Sequence, residues 1–144
     1  MSTDAQAAAE AAATAMFAGD RASQALGMRV TGVRPGWARV SMRVRADMVN
    51  GHGMCHGGLI FALADSAFAF ACNSHNHRTV AAAASIDFLA SAAEGDELAA
   101  EAQELWRTRR NGIYEITVTR QDGTRIALFR GRSHQLDGKV VEGP

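Results

Sequence analysis

Asp65 is the residue of this chain whose type and surroundings most need a chemical explanation. It stands in the segment Gly57 to Cys72, where nearly every other side chain is apolar. A lone carboxylate in such company is costly to desolvate unless it is paired or faces a wet cleft. One role open to it is structural, a hydrogen bond to a neighbouring strand or to Ser66. The other is chemical, because a carboxylate held partly out of water is suited to taking a proton. Asn50, His56, Gly57 and Gly58 all precede the same segment. If the segment is helical, its first N–H groups lack intrahelical partners, and they stand at the positive end of the helix, where a developing oxyanion can be held.

The spacing of these groups constrains their use. Gly57 and Asp65 are eight residues apart, about 12 Å along a helix axis at 1.5 Å per residue. One carbonyl cannot touch both. If both serve one substrate carbon, the second must come from another copy of the chain. The spacing therefore predicts a homodimer, with two antiparallel copies of the helix related by a two-fold axis near Phe61 and two identical sites. Burial in the apolar helix further predicts a raised pKa for Asp65.

The elements that would position these residues are visible in the periodicity. Ser2 to Asp20 is Ala-rich with Gly19 as a stop and predicts a helix. Val40, Met42 and Val44 alternate with Arg39, Ser41, Arg43 and Arg45, the pattern of a strand with one buried face. Pro35-Gly36 predicts a turn joining it to a partner strand over Met28 to Arg34. Asn111-Gly112 and Asp122-Gly123 each predict a type I′ hairpin turn. They imply a meander of Glu97 to Arg109, Ile113 to Gln121 and Thr124 to Gln135, with Tyr114, Ile116 and Val118 on one face. Thr79 to Phe88 predicts one more strand. Gly57 to Cys72 is apolar around its whole circumference, so it must be enclosed. These elements predict an α+β domain whose antiparallel sheet curls around one long helix, with residues 1–24 as an N-terminal helix and residues 25–144 as the domain.

Composition removes several function classes. The chain has 144 residues, 47% of them apolar, and 15 basic side chains balance 15 acidic ones. That length fits one core, and zero net charge argues against a nucleic-acid or anionic-membrane surface. Cys55 and Cys72 form no disulfide framework, which predicts a reducing, cytoplasmic setting. The N-terminus has neither the basic nor the Leu-rich region of a secretory signal, and the run Leu59 to Cys72 is shorter than the ~20 residues of a membrane span.

With these residues in view, NGHGMCHGGLIFALADSAFAFACNS, followed by SIDFL and ALFRGRSH, resembles the hotdog-fold acyl-CoA thioesterases, most closely those of phenylacetate degradation. The resemblance runs from about Ala25 to Gly138. It implies that Asp65 is a general base acting on water or a nucleophile attacking the thioester, and that the Gly57 N–H holds the oxyanion. It gives His56 a part in positioning the thioester, and Asn50 a part in orienting the attacking water or the loop. Gly58, Ser66 and Phe88 would be substrate contacts. Coenzyme A contacts would fall at Ser91 and at Arg107, Arg109 and Arg110, whose guanidinium groups suit phosphates but equally suit a solvated turn. The resemblance implies no cofactor and no metal, with coenzyme A as part of the substrate, and dimers that pair into tetramers. The chain departs from the relatives at Ala90-Ser91, where they carry Arg-Pro, and at Ala81 to Ala84, where they carry a Ser or a larger side chain. The alanines would enlarge the acyl pocket or remove a water-positioning hydroxyl.

Other chemistries fit less well. His52, Cys55 and His56 cluster, but His75 and His77 lie beyond the far end of the helix, so the set does not make a closed zinc site. The helix dipole is a sufficient explanation for His75 and His77. Cys55 beside His56 is not an activated thiol, since adjacent residues point apart. The Gly51-His52-Gly53 loop lacks the third glycine of a dinucleotide fingerprint, and no phosphate loop is present. The Leu63-Ala64-Asp65 pattern disfavours dehydration of a hydroxyacyl thioester on the same fold. A noncatalytic acyl-CoA sensor would need the pocket and the arginines, but no carboxylate near the carbonyl.

Overall fold

A computed structural model describes residues 3–142. Met1, Ser2, Gly143 and Pro144 lie outside the described residues, including the first residue of the predicted N-terminal helix and the last two of the predicted domain. In chain order the elements are α1 (Thr3–Gly19), α2 (Arg21–Ala25), β1 (Arg29–Arg34), β2 (Trp37–Arg43), a 3-10 turn (Ala46–Met48), α3 (Gly57–Cys72), β3 (Thr79–Phe88), β4 (Glu97–Arg107), β5 (Asn111–Arg120) and β6 (Arg125–Gln135). The six strands form one antiparallel sheet in the order β1-β2-β4-β5-β6-β3. Strands β1 and β3 are its edges.

The strands form where side chains alternate. Ala38, Val40, Met42 and Val44 are buried while Arg39 and Arg43 are exposed, and Tyr114, Ile116 and Val118 are buried together on β5. Helix α3 packs on this apolar face and touches all six strands. Its Leu63, Phe68 and Phe70 join Val40, Met42, Ile116 and Phe129 in one core. Each such burial stabilises the fold by roughly 1.5–3 kcal/mol. The ring of Phe68 lies against Tyr114 and Phe129, with centroids 5.5 and 5.9 Å away. Gly131 makes that packing possible, since a Cβ there would stand 2.6 Å from the Phe68 ring.

Three local expectations are corrected. Asn111-Gly112 is no type I′ turn: it begins β5, with Gly112 opposite both Arg107 and Ser133. The connection is Thr108–Asn111, closed by Thr108 N–H to Asn111 O at 2.7 Å. Gly112 is required because a Cβ would stand 2.8 Å from both Ser133 Oγ and Tyr114. Asp122-Gly123 does turn the chain, but only Gly123 has positive φ, 87°. The Gly123 N–H to Arg120 O bond and the register shift after Val118 describe a type I turn with a G1 bulge. Finally, α3 is not covered all round by its own chain. Ile60, Leu63, Ala64, Ala67, Phe68 and Phe70 are buried, while Phe61, Ala62, Asp65, Ser66 and Ala69 are only partly so. Covering the rest would require material beyond β3, which is itself exposed along most of its length.

Candidate active site

The loop before α3 is built to hold the helix start open. Asn50 Oδ1 accepts from His52 N–H at 2.9 Å and Met54 N–H at 3.2 Å, folding residues 50–54 back on themselves. His56 follows in extended conformation, φ −61° and ψ 131°, and caps α3 by accepting the Gly58 N–H on Nδ1 at 2.9 Å. Because Nδ1 is an acceptor there, the neutral ring carries its proton on Nε2. Gly58 makes this cap possible, since a Cβ would stand 3.0 Å from Nδ1. The cap satisfies Gly58 and leaves the preceding amide: the Gly57 N–H has no partner among the described residues. Gly57 also lies under the Phe88 ring, which a Cβ would approach at 3.2 Å.

Asp65 is half-buried and makes no hydrogen bond or ion pair among the described residues. Burial holds its carboxyl above the usual range, as the sequence predicted. Its orientation follows from its neighbours. Gly57 touches Phe88 of β3, Phe61 stacks edge-on with Phe129 of β6 at 5.1 Å, and Phe68 fills the space over Gly131. Asp65 lies between Phe61 and Phe68 on this same ridge, so it faces the β3 side. The Ser66 hydroxyl is turned away from it. Ser66 Oγ lies 3.0 Å from Ser23 Oγ, and Ser23 donates to Asp20 at 2.6 Å. Nothing at Ser23 or Asp20 marks this link in the sequence.

A cleft of about 350 Å³ is lined by Asn50, Met54, Cys55, Gly57, Ile60 and Phe88 through Ser91. It joins four residues singled out by sequence: Asn50, Gly57, Phe88 and Ser91. Sequence reasoning missed Met54, Leu89 and Arg120. Phe88 and Leu89 are exposed, 53% and 51%, although they are large and apolar. Arg120 secures the rim by donating to Ser91 O at 3.0 Å while it pairs with Asp122.

Arg107, Arg109 and Arg110 lie elsewhere. Their loop surrounds a small recess with Cys72 and Thr79, at the C-terminal end of α3. The helix has 16 residues, about 24 Å, so these arginines and Ser91 stand at opposite ends of one chain. The single coenzyme site expected from both sets is therefore not assembled within a single copy. Arg110 is engaged by Gln135 O and Asp137. His75 also has a partner more specific than a helix dipole, Glu104 Oε1 at 2.8 Å. Burial keeps His77 from protonating readily, and nearby Arg107 adds to this. No three His, Cys, Asp or Glu residues among those described are grouped to hold a metal. Both thiols are kept protonated by burial, Cys72 up to about 12, with Asp65 charge adding to the effect. No described helix is long and apolar enough to cross a membrane.

The chain and its fold have counterparts among known proteins. Residues 52–127 match the Thioesterase superfamily. The acyl-coenzyme A thioesterase PaaI of Escherichia coli strain K12 is 44% identical over 129 residues, covering 90% of this chain and 92% of that protein. The solved structure of the E. coli PaaI protein, from the phenylacetic acid degradation operon, superposes with TM-score 0.92 at 43% identity, covering 93% of this chain and 97% of that one. A Streptococcus mutans protein solved with acetyl CoA bound superposes with TM-score 0.74 at 26% identity, covering 78% of this chain and 90% of its own. With its curled antiparallel sheet around α3, the chain belongs to the thioesterase superfamily and is an enzyme of the hotdog fold.

Proposed function

We propose that the chain hydrolyses acyl-CoA thioesters, favouring phenylacetyl-type or medium-chain acyl groups, at two equivalent sites formed where two copies meet. Gly57 N–H of one copy binds the thioester oxygen, and Asp65 of the other acts on the carbonyl carbon. The observation that carries this is the half-buried Asp65 on the same helix ridge as Gly57, beside an exposed edge strand, with neither the carboxylate nor the Gly57 N–H partnered among the described residues. The substrate class draws on the E. coli relative and the acetyl CoA-bound neighbour.

In the general-base form, Asp65 takes a proton from water and the resulting hydroxide adds to the carbonyl carbon. The oxyanion is received by Gly57 N–H, with the His56 Nε2–H beside it to align the thioester. Collapse breaks the C–S bond, releasing free acid and a coenzyme A thiolate, to which Asp65 returns the proton. In the nucleophilic form Asp65 adds directly and the C–S bond breaks, releasing the coenzyme A thiolate and leaving a mixed anhydride. Water then opens it to the free acid and the Asp65 carboxylate, and its spare proton goes to the thiolate. Asn50 holds the loop that presents Gly57, and its Nδ2 has no partner among the described residues. Gly58 serves by capping, Phe88 by covering the thioester, and Ser66 by anchoring α3 to α2.

The two-fold arrangement also reunites the coenzyme contacts. With the axis at Phe61, the C-terminal end of the second helix comes to lie about 10 Å beyond Gly57, on the side of Ser91. Arg107, Arg109 and Arg110 of the second copy then flank the phosphates of a coenzyme whose thioester lies at Gly57. Pairing of dimers into a tetramer and a cytoplasmic setting belong to the same proposal.

The test is thiol release from a panel of acyl-CoAs by wild type and Asp65→Asn. Loss of kcat by about 10² or more with binding retained supports the catalytic role. Binding without turnover by the wild type would instead identify a sensor. After a single turnover in ¹⁸O-water, label in the Asp65 carboxyl marks the nucleophilic form with water opening the anhydride at the Asp65 carbonyl, and trapping of the acyl-enzyme by hydroxylamine marks it with opening at the acyl carbonyl.

A further inference from the structure

The inner face of the sheet loses bulk along one row. Antiparallel register sets Tyr114 of β5 opposite Gly131 of β6, and Gly131 opposite Ala84 of β3. Directly opposed residues share a face. Tyr114 is buried, and Gly131 opens toward Phe68 of α3, so Ala84 also faces the helix. Gly131 has its space filled by the Phe68 ring, whereas Ala84 is exposed. The next row runs from Ile116 through Phe129 to Ile86, where Ile86 packs on the core. The sheet therefore has a large side chain at Ile86 and a gap at Ala84.

The position of this gap can be counted along two elements. Phe88 touches Gly57, which ties the end of β3 to the start of α3. From there Asp65 is eight helical residues away, about 12 Å, and Ala84 is four strand residues away, about 13 Å in the same direction. Both lengths end at one level. The Asp65 ridge faces β3, so this count sets Asp65 and the exposed Ala84 at one level, with Phe61 and Ile86 on the row beside them.

We infer that Ala84 forms the seat of the acyl group and sets its permitted size, its small side chain leaving room for a planar ring or a branched chain beside the scissile carbonyl. This rests on the proposed role of Asp65 and deepens it, since a carbonyl within reach of Asp65 places its acyl substituent against the inner face of β3 at the same level. Ala84 takes no part in proton transfer. It acts on specificity alone.

The experiment compares kcat/KM for phenylacetyl-, hexanoyl- and acetyl-CoA in wild type, Ala84→Val and Ala84→Leu, with melting temperatures recorded for each. The expected result is a graded fall in the phenylacetyl-to-acetyl ratio, about 10-fold for Val and about 100-fold for Leu, since each methylene misplaced in an apolar pocket changes discrimination by roughly 10–200-fold. Ratios within about threefold of wild type in both variants would overturn the inference. So would an equal loss on all three substrates by Ala84→Val in a protein that melts normally. If the Leu variant fails to fold, Ala84→Val alone decides. Asp65→Asn in the same assay separates the two readings: loss of turnover there with unmoved Ala84 ratios overturns only the acyl seat, whereas full activity overturns the base assignment and the acyl seat built on it.

Discussion

The two ends of α3 are built on opposite principles. At the C-terminal end the buried polar side chains Asn73 and Ser74 are answered. Asn73 donates to Ala69 O and Thr79 O and accepts the Thr79 N–H, all at 2.9 Å. Ser74 donates to Ala71 O at 2.6 Å and accepts the Gly36 N–H at 2.8 Å. Glu104 receives the Tyr114 hydroxyl at 2.7 Å and pairs with His75. Toward the N-terminal end, His56 satisfies Gly58 and leaves Gly57 open, and two turns on Asp65 is half-buried without a partner among the described residues. Buried polar groups normally find partners because leaving them unmet costs about 1–3 kcal/mol each. The completed network marks structure, and the open end holds the two groups on which the proposed site depends.

Substitutions at the two ends should separate activity from stability. The largest expected effect is on Gly57→Pro. His56 is already extended, as a residue before proline prefers, and the first helical position tolerates proline, so this change deletes the amide hydrogen while keeping the helix. It should lower kcat by about 10²–10³, read by thiol release, while calorimetry reads the smaller cost of moving the Phe88 ring, which the new Cβ would approach at 3.2 Å. Glu104→Ala should do the reverse. It strands the buried Tyr114 hydroxyl and should lower stability by about 1–3 kcal/mol in denaturant titration, while folded protein keeps its turnover.

Smaller effects follow from the raised Asp65 pKa. Its charged form is disfavoured in the folded state, so the stability of the wild type is fullest below the ordinary carboxylate range and falls as pH rises through the folded-state pKa. Asp65→Asn should therefore melt higher than wild type at pH 7, with the gap closing as pH drops below ~3.9. A constant gap across that range would contradict the assignment. By the same shift, the acidic limb of kcat/KM should have its midpoint above ~3.9.

Much of this was legible in local pattern. Strand β2 followed from the alternation at Val40 and Met42, although Ser41, expected on the open face with Arg39 and Arg43, is buried, and β3 and α3 run over the residues predicted for them. Asp65 stood out because a carboxylate breaks an apolar helix, a signal that needs no tertiary information. What stayed hidden depended on contacts distant in sequence. Gly112 read as a turn glycine, but its lack of a side chain serves Tyr114 and Ser133 packing. The apolar circumference of α3 could not reveal which stripe its own sheet leaves uncovered. Nor could spacing reveal that Ser66 is held by Ser23, or that the arginine loop sits at the far end of the helix from Ser91.

A complementation assay goes to the centre of the account. Asp65→Asn and Gly57→Pro chains, each inactive alone, are mixed in equal amounts, unfolded and refolded together, and assayed for thiol release. If each site takes its amide from one copy and its carboxylate from the other, half of the randomly paired dimers carry one intact site, and about one quarter of wild-type activity returns. Activity no higher than that of the separate variants, in a mixture shown by mass spectrometry to contain hybrid dimers, would mean that both groups act within a single chain.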